Sequence, residues 1–353
     1  MNALYKYLTA VLITAMVLPV NLFAGNKDRS GQAGASELLI NPWTRSSGWG
    51  SANMARVRGL EAMWGNVAGT AFTRKTQLIF SNVQWLKGSG TNLFAFGLTQ
   101  RVGDDGALGI QVMSMNFGDI QVTTTENPDG GLGTFSPSLM NFALSYAKAF
   151  SNSIYGGMVV KVISESISDV SAFGVAIDAG IQYVTGENDQ LAFGVSLKNL
   201  GPQMQFTGDG LSLKSVIPGQ NNQFTLEQRS DAFEIPTQLN IGASYDFLFP
   251  KDYRLTVAGT FISNSFTKDQ IAVGLEGSLH NWVILRAGYI FENGMWDDVL
   301  SPENNNVTTG FSAGISIQVP LNKENGSYIG IDYAYRETVS FNGTHFVGII
   351  FNL

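Results

Sequence analysis

The side chains that most often do chemistry are scarce in this sequence. It holds two histidines and no cysteine. His280 falls in a two-residue turn and His345 in the last strand-like stretch, and neither has an obvious nucleophile or metal partner. The strings DGGLG and GDG are turn chemistry without the ligand spacing of a calcium loop. The chain is therefore not expected to be an enzyme, and no catalytic residue, metal site or cofactor is expected. No nucleic-acid partner is expected either, and the formal net charge is −7.

What remains is a set of charges with a regular placement. Arg101, Lys161, Glu165, Asp178, Lys198, Asp246, Arg254, Glu276, Arg286, Glu292, Asp332 and Arg336 each sit in the middle of a stretch whose apolar residues have the opposite phase. Their signs are mixed, which argues against a strongly ion-selective pore. The simplest role is structural pairing, with Asp178, Asp246, Glu276, Arg286, Asp332 and Arg336 as the main candidates.

The elements that would carry them are strands. In Ala172–Leu200 the apolar Phe173, Val175, Ile177, Ile181 and Tyr183 alternate with Gly174, Ala176, Asp178, Gly180 and Gln182. The second arm repeats this with Leu191, Phe193, Val195 and Leu197, after turn residues Thr185 to Asp189. Side chains alternate across a strand, so each arm has one apolar and one small or polar face. Arms of ten or more residues suit a tilted membrane crossing rather than a soluble sandwich. Fourteen such stretches follow one another, at about 76–86, 91–103, 107–116, 138–148, 154–165, 172–184, 190–199, 235–249, 253–264, 268–279, 282–293, 306–319, 326–337 and 342–353. An even count is what a closed antiparallel barrel needs. The predicted fold is an all-β, fourteen-stranded antiparallel transmembrane barrel over 76–353.

Composition agrees. The chain of 353 residues is 44% hydrophobic but only 14% charged, with 40 glycines and 23 phenylalanines. Mean hydropathy is +0.07, and no apolar run long enough for a membrane helix occurs beyond the N-terminus. A mid-strand charge on the lipid face would cost on the order of 2–4 kcal/mol, and the phase puts nearly all of them in the lumen.

Connections are short after strands two, four, six, eight, ten and twelve. They are long after strands three, seven and eleven, at Asn116–Pro137, Asn199–Glu234 and Asn293–Asn305. Short turns belong to the periplasmic side and long loops to the exterior, so the parity predicts the orientation in a bacterial outer membrane. The long loops carry ten acids against two bases. That acidic face is solubilising in the plainest reading, and a docking surface in the alternative. The longest loop holds Met204, Phe206, Leu211, Leu213, Val216, Ile217, Phe224 and Leu226. They are expected either to bind a partner or to fold back over the barrel mouth.

Residues 1–24 read as a secretory signal peptide, with Lys6 before the apolar Leu8–Leu18 and Ala24 at the cut. Residues 25–75 do not alternate and carry seven basic residues against three acids, a net of +4. Ser51 is placed to cap a short helix with Met54, Val57, Leu60 and Trp64 along one stripe. A basic, tryptophan-rich segment calls for burial, so 25–75 is expected to be a plug or hatch inside the barrel, involving Arg56, Arg58, Glu61 and Trp64, with a periplasmic extension packed on the barrel end as the alternative. Arg56 and Arg58 are expected to pair with Asp178, Asp246, Glu276 or Asp332.

Three segments also carry a resemblance. GWGSANMARVRGLEAMWGNVAGTAF, NPDGGLGTFSPSLMN and YAKAFSNSIYGGMVVKVISESISDVSAFGVAIDAGIQYVTGE resemble the PorV/PorQ family of the type IX secretion system of Bacteroidota, its PorV branch most. More distant members carry a W-N-P-A-G-L-type motif where this chain has Trp64-Gly-Asn-Val-Ala-Gly-Thr70, with Val67 in place of the proline. The resemblance implies a FadL-like fourteen-stranded barrel. It also implies a shuttle that meets a large Sov/SprA-type translocon barrel, receives the C-terminal domains of secreted cargo and passes them to a surface attachment complex. The alternative is a FadL-type channel for hydrophobic small molecules.

Overall fold

The computed structural model describes residues 29–216, 222–280, 282–292, 306–322, 326–339 and 341–353. The expected signal peptide, Ile217 and the 293–305 connection lie outside the described residues. Fourteen strands form the wall: β1 (Thr76–Gln84), β2 (Asn92–Val102), β3 (Gly106–Asn116), β4 (Ser138–Ala149), β5 (Ile154–Ile167), β6 (Val170–Thr185), β7 (Leu191–Leu200), β8 (Gln238–Phe249), β9 (Tyr253–Asn264), β10 (Gln270–Leu279), β11 (Val283–Glu292), β12 (Gly310–Asn322), β13 (Ser327–Arg336) and β14 (Thr344–Asn352). Each pairs antiparallel with the next, and β1 pairs with β14, from Gln77 opposite Asn352 to Gln84 opposite His345. Closure leaves no unpaired edge, which is the condition for crossing lipid with strands.

Alternation sets the two faces. In β4 the exposed Met140, Phe142, Leu144 and Tyr146 point outward, while the buried Asn141, Ala143, Ser145 and Ala147 point inward. This inverts a soluble protein: the outer face is apolar because its solvent is lipid, and the polar residues face a filled interior. The largest boundary shift is at β12. It starts at Gly310 and runs through Pro320, where a bulge lets the strand continue past the missing N–H.

The β6–β7 seam contains a second irregularity. Its register shifts between Ile177 and Ala179, beside Asn199 at φ 59°. Beyond it, β6 pairs with Met204–Thr207 rather than with β7. At the same end, Ser212–Val216 and Gln223–Glu227 form a hairpin of their own, outside the barrel sheet.

The chain from 29 to 73 runs inside the wall from one mouth to the other. At the long-loop end, Gly34 N–H donates to the Glu234 carbonyl and Arg29 pairs with Glu234 at 2.8 Å. At the short-turn end, Arg56 donates to the Asp189 carbonyl at 2.7 Å. Two short α-helices occur on the way, α1 (Thr44–Gly48) and α2 (Ala62–Gly65), with 3-10 turns at Ser36–Leu39, Gly59–Glu61 and Val67–Phe72.

The helix expected from Ser51 through Trp64 does not form. Ser51 has φ 62°, not the extended conformation of a cap, and Gly59 at φ 70° breaks the run before Trp64. The carbonyls that a helix would use are taken by the wall: Thr260 donates to Ala52, and Gln182 donates to both Met54 and Val57. Backbone groups buried in a lumen need partners, and here the partners are side chains of distant strands.

Small wall residues make room for this path. A Cβ on Gly288 would collide with the Trp49 carbonyl and stand 2.8 Å from the Gly50 nitrogen, and one on Gly274 would stand 3.1 Å from the Trp49 carbonyl. Gly288→Leu is expected to destabilise the folded barrel by about 1–3 kcal/mol through overpacking. Heat-dependent gel mobility reads this directly, and an unchanged transition would mean that the segment does not pass there.

Candidate functional site

The site is the interior and its two mouths, and α1 is its anchor. The N–H groups of Arg45 and Ser46 in the first turn of α1 donate to Glu61 at 3.3 and 3.0 Å, and Ser46 Oγ donates to it at 2.5 Å. A carboxylate there satisfies donors that the helix itself leaves free. Burial raises the Glu61 pKa, against the opposing pull of Arg45 and Ser46. From the other side of α1, Arg45 reaches Asp332 on β13 at 2.9 Å and the Tyr328 hydroxyl at 3.3 Å.

Arg56 pairs with Asp246 on β8, one of the four carboxylates expected for it. Arg58 does not find a carboxylate among the described residues. It sits over the Phe72 ring at 4.1 Å, and that ring packs on Tyr155 at 4.0 Å. The remaining acids are satisfied elsewhere. Glu276 bridges Arg254 at 2.5 Å and Arg286 at 2.7 Å, and Asp178 holds Lys161 at 2.6 Å and the Asn199 N–H at 2.7 Å. Asp332 takes Arg45, a residue the sequence reading passed over because nothing in TRSSG marks its partner 287 positions away. Arg336 donates to the Thr308 carbonyl at 3.1 Å. Trp64 lies under the ammonium of the buried Lys198, 3.2 Å from its ring centre.

Contacts from the inner segment reach most of the wall. Thr44 meets Ser81 at 3.3 Å, Asn66 donates to the Ile181 carbonyl at 3.0 Å, and Ser196 donates to the Gly65 carbonyl at 3.1 Å. Trp43, Leu60, Met63 and Val67 pack with Ile79, Leu93, Met113, Val159 and Ile350 into one apolar cluster. Above the segment a space of about 60 Å³ remains beside Trp64 and Asn240. Below it, a vestibule of about 1040 Å³ opens among the short turns.

The apolar residues of the longest loop divide into two groups. Met204 is 1% exposed and packs with Ala35, Leu38, Ile163 and Ile235, with Phe206 against them. These two cap the inner segment, so Met204 is not available to a partner, which corrects its place in a partner-binding set and agrees with the alternative that the loop folds back over the barrel mouth. Leu211 and Phe224 are half-buried, while Leu213, Val216 and Leu226 stand exposed on the hairpin. His280 lines the short-turn vestibule with its ring 4.5 Å from that of Tyr253, and His345 Nδ1 lies 2.7 Å from the Tyr333 hydroxyl.

Comparison with known proteins gives a fold. No family model matches the chain, and no curated relative does. The CymD monoaromatic hydrocarbon channel is similar at a TM-score of 0.53 and 13% identity, covering 89% of this chain and 97% of that one. The Pseudomonas putida toluene transporter TodX is similar at 0.51 and 11% identity, covering 83% and 92%. A Pseudomonas aeruginosa FadL homologue scores 0.46 at 11% identity, covering 87% and 96%. In fold, then, the chain is a closed fourteen-stranded barrel of the outer-membrane kind, similar to CymD and TodX.

Proposed function

We propose that this protein is an outer-membrane shuttle of type IX secretion. In this reading it takes the C-terminal domain of secreted cargo at a large Sov/SprA-type translocon barrel and delivers it to a surface attachment complex. The system comes from the resemblance of the three quoted segments. The observation that carries the non-channel part is the occupied interior, where hydrogen bonds and ion pairs tie the inner segment to strands around the wall. A binding role then has to use the surface. The hairpin at the long-loop end offers Leu213, Val216 and Leu226 exposed at 45%, 50% and 40%, the kind of apolar patch that marks a binding surface. Lipid contacts the outer face of the wall.

The hairpin can be removed cleanly, because Gln228 N–H already donates to the Leu211 carbonyl at 2.9 Å across its base. Deleting residues 212–227 should leave an inserted barrel that no longer captures purified cargo C-terminal domains. Capture at the native level by the deletion variant would remove the hairpin from the account. The same reading puts the long loops outside the cell. A cysteine at Ser136 or Asn222 should react with an impermeant maleimide on intact cells, and one at Asn188 should not. Labelling at Asn188 alone would invert the orientation.

A second reading has its own support. CymD is described as a monoaromatic hydrocarbon channel and TodX as a toluene transporter, and both share this fold. A FadL-type channel for hydrophobic small molecules requires the inner segment to move aside, and that is testable as described in the Discussion.

A further inference from the structure

We propose that the cavity above the inner segment, at the long-loop end of the lumen, is a receptor for a small carboxylate ion held by Arg336. This inference does not depend on the secretion reading. Elsewhere in the lumen, ion pairs give each guanidinium a carboxylate: Arg45 has Asp332, Arg56 has Asp246, and Arg254 and Arg286 share Glu276. Arg336, the last residue of β13, differs. It is only 8% exposed, it donates to the neutral Thr308 carbonyl at 3.1 Å, and its buried Nε has no partner. No carboxylate pairs with it among the described residues. Arginine does not shed its proton in a protein, so burial here leaves a charge without a counter-ion, which is costly.

The space that Arg336 lines suits such a counter-ion. Among the described residues Arg336 is the one charged side chain in its lining, and no carboxylate lines it. Amides make up much of the rest, among them Gln238, Asn264, Gln270 and Asn306. They sit at the long-loop mouth because Gln238 opens β8, Asn264 closes β9 and Gln270 opens β10. Gln238 Nε2 donates to Asn264 Oδ1 at 2.8 Å, which fixes that side. Glu292 stands outside the lining, where Gln270 and Asn306 donate to it at 2.9 and 2.5 Å, and it makes no ion pair with Arg336. The volume is about 60 Å³. One water needs about 10–15 Å³ on this measure, so there is room for about four waters or an ion of acetate's size, and none for a long apolar chain. A carboxylate supplies the missing charge, and its two oxygens match the guanidinium's N–H fork. Asn306 and Thr308 are half-buried, so solvent reaches the rim at the long-loop end.

Saturation-transfer NMR on the full chain in detergent, at fixed ionic strength, tests this with two probes: acetate and its uncharged isostere acetamide. Saturable acetate binding is expected, about tenfold or more tighter than that of acetamide, because charge-assisted hydrogen bonds are the stronger kind. Arg336→Gln should weaken acetate binding by a similar factor and leave acetamide nearly unchanged. Should that variant fail to insert, the two probes on the native chain decide the matter by themselves. No saturable acetate binding, equal affinity for both probes, or acetate binding unaltered in Arg336→Gln would each overturn the proposal.

Discussion

Arg45→Ala should destabilise the folded barrel by about 3–5 kcal/mol, the usual cost of breaking a buried ion pair from one side. Asp332 is 2% exposed at its side chain and Arg45 14%, so water does little to replace the lost partner. The variant also loses the Tyr328 contact. Asp332→Asn in the same chain should recover much of the loss, because a neutral amide tolerates the site better than an unpaired carboxylate. Urea unfolding followed by tryptophan fluorescence measures both variants. A single variant within about 1 kcal/mol of the native chain would show that α1 is not what fixes the inner segment.

The second large effect depends on pH and concerns Glu37 in the Ser36–Leu39 turn. Its side chain is buried beside Glu165 of β5 and Asn141 of β4. Burial first, and the charge of Glu165 second, raise its pKa from 4.5 to about 7. The seated segment therefore holds this proton more tightly than a released one. Below pH 4.5 both states are protonated and the seat keeps its full stability. As pH rises through about 7 that stability is lost, by about 3 kcal/mol in total. Hydrogen exchange at residues 34–40 should accelerate over this window. Glu37→Gln, neutral throughout, should flatten the dependence. An equal pH response in both proteins would rule Glu37 out as its source.

How much of this was readable beforehand follows from the range of the interactions. The strands were readable because alternation is local: in β6, Phe173, Val175, Ile177 and Ile181 declare the lipid face without reference to any other part of the chain. Closure followed from an even strand count and the parity of connection lengths. The inner segment was readable only as something basic and aromatic that needs burial. Its path was hidden because its backbone bonds to Gln182 and Thr260, 125 to 208 positions away, and no local pattern encodes such partners. Arg45 and Glu37 were missed for the same reason. The split of the longest loop, with Met204 inward and Leu213 outward, depends on what the Ala35–Leu38 turn offers Met204 to pack against. Hydrophobicity alone does not distinguish the two. Function was carried by resemblance and not by spacing, and the fold it implied is the part that comparison with solved structures supports.

The central claim is that the chain's own N-terminal segment closes its lumen. Current recorded across planar lipid bilayers holding the purified full chain tests it most directly. The account predicts a silent protein, with no steady conductance steps at moderate voltage. Stable, voltage-independent steps from the native chain would contradict it and favour the channel reading.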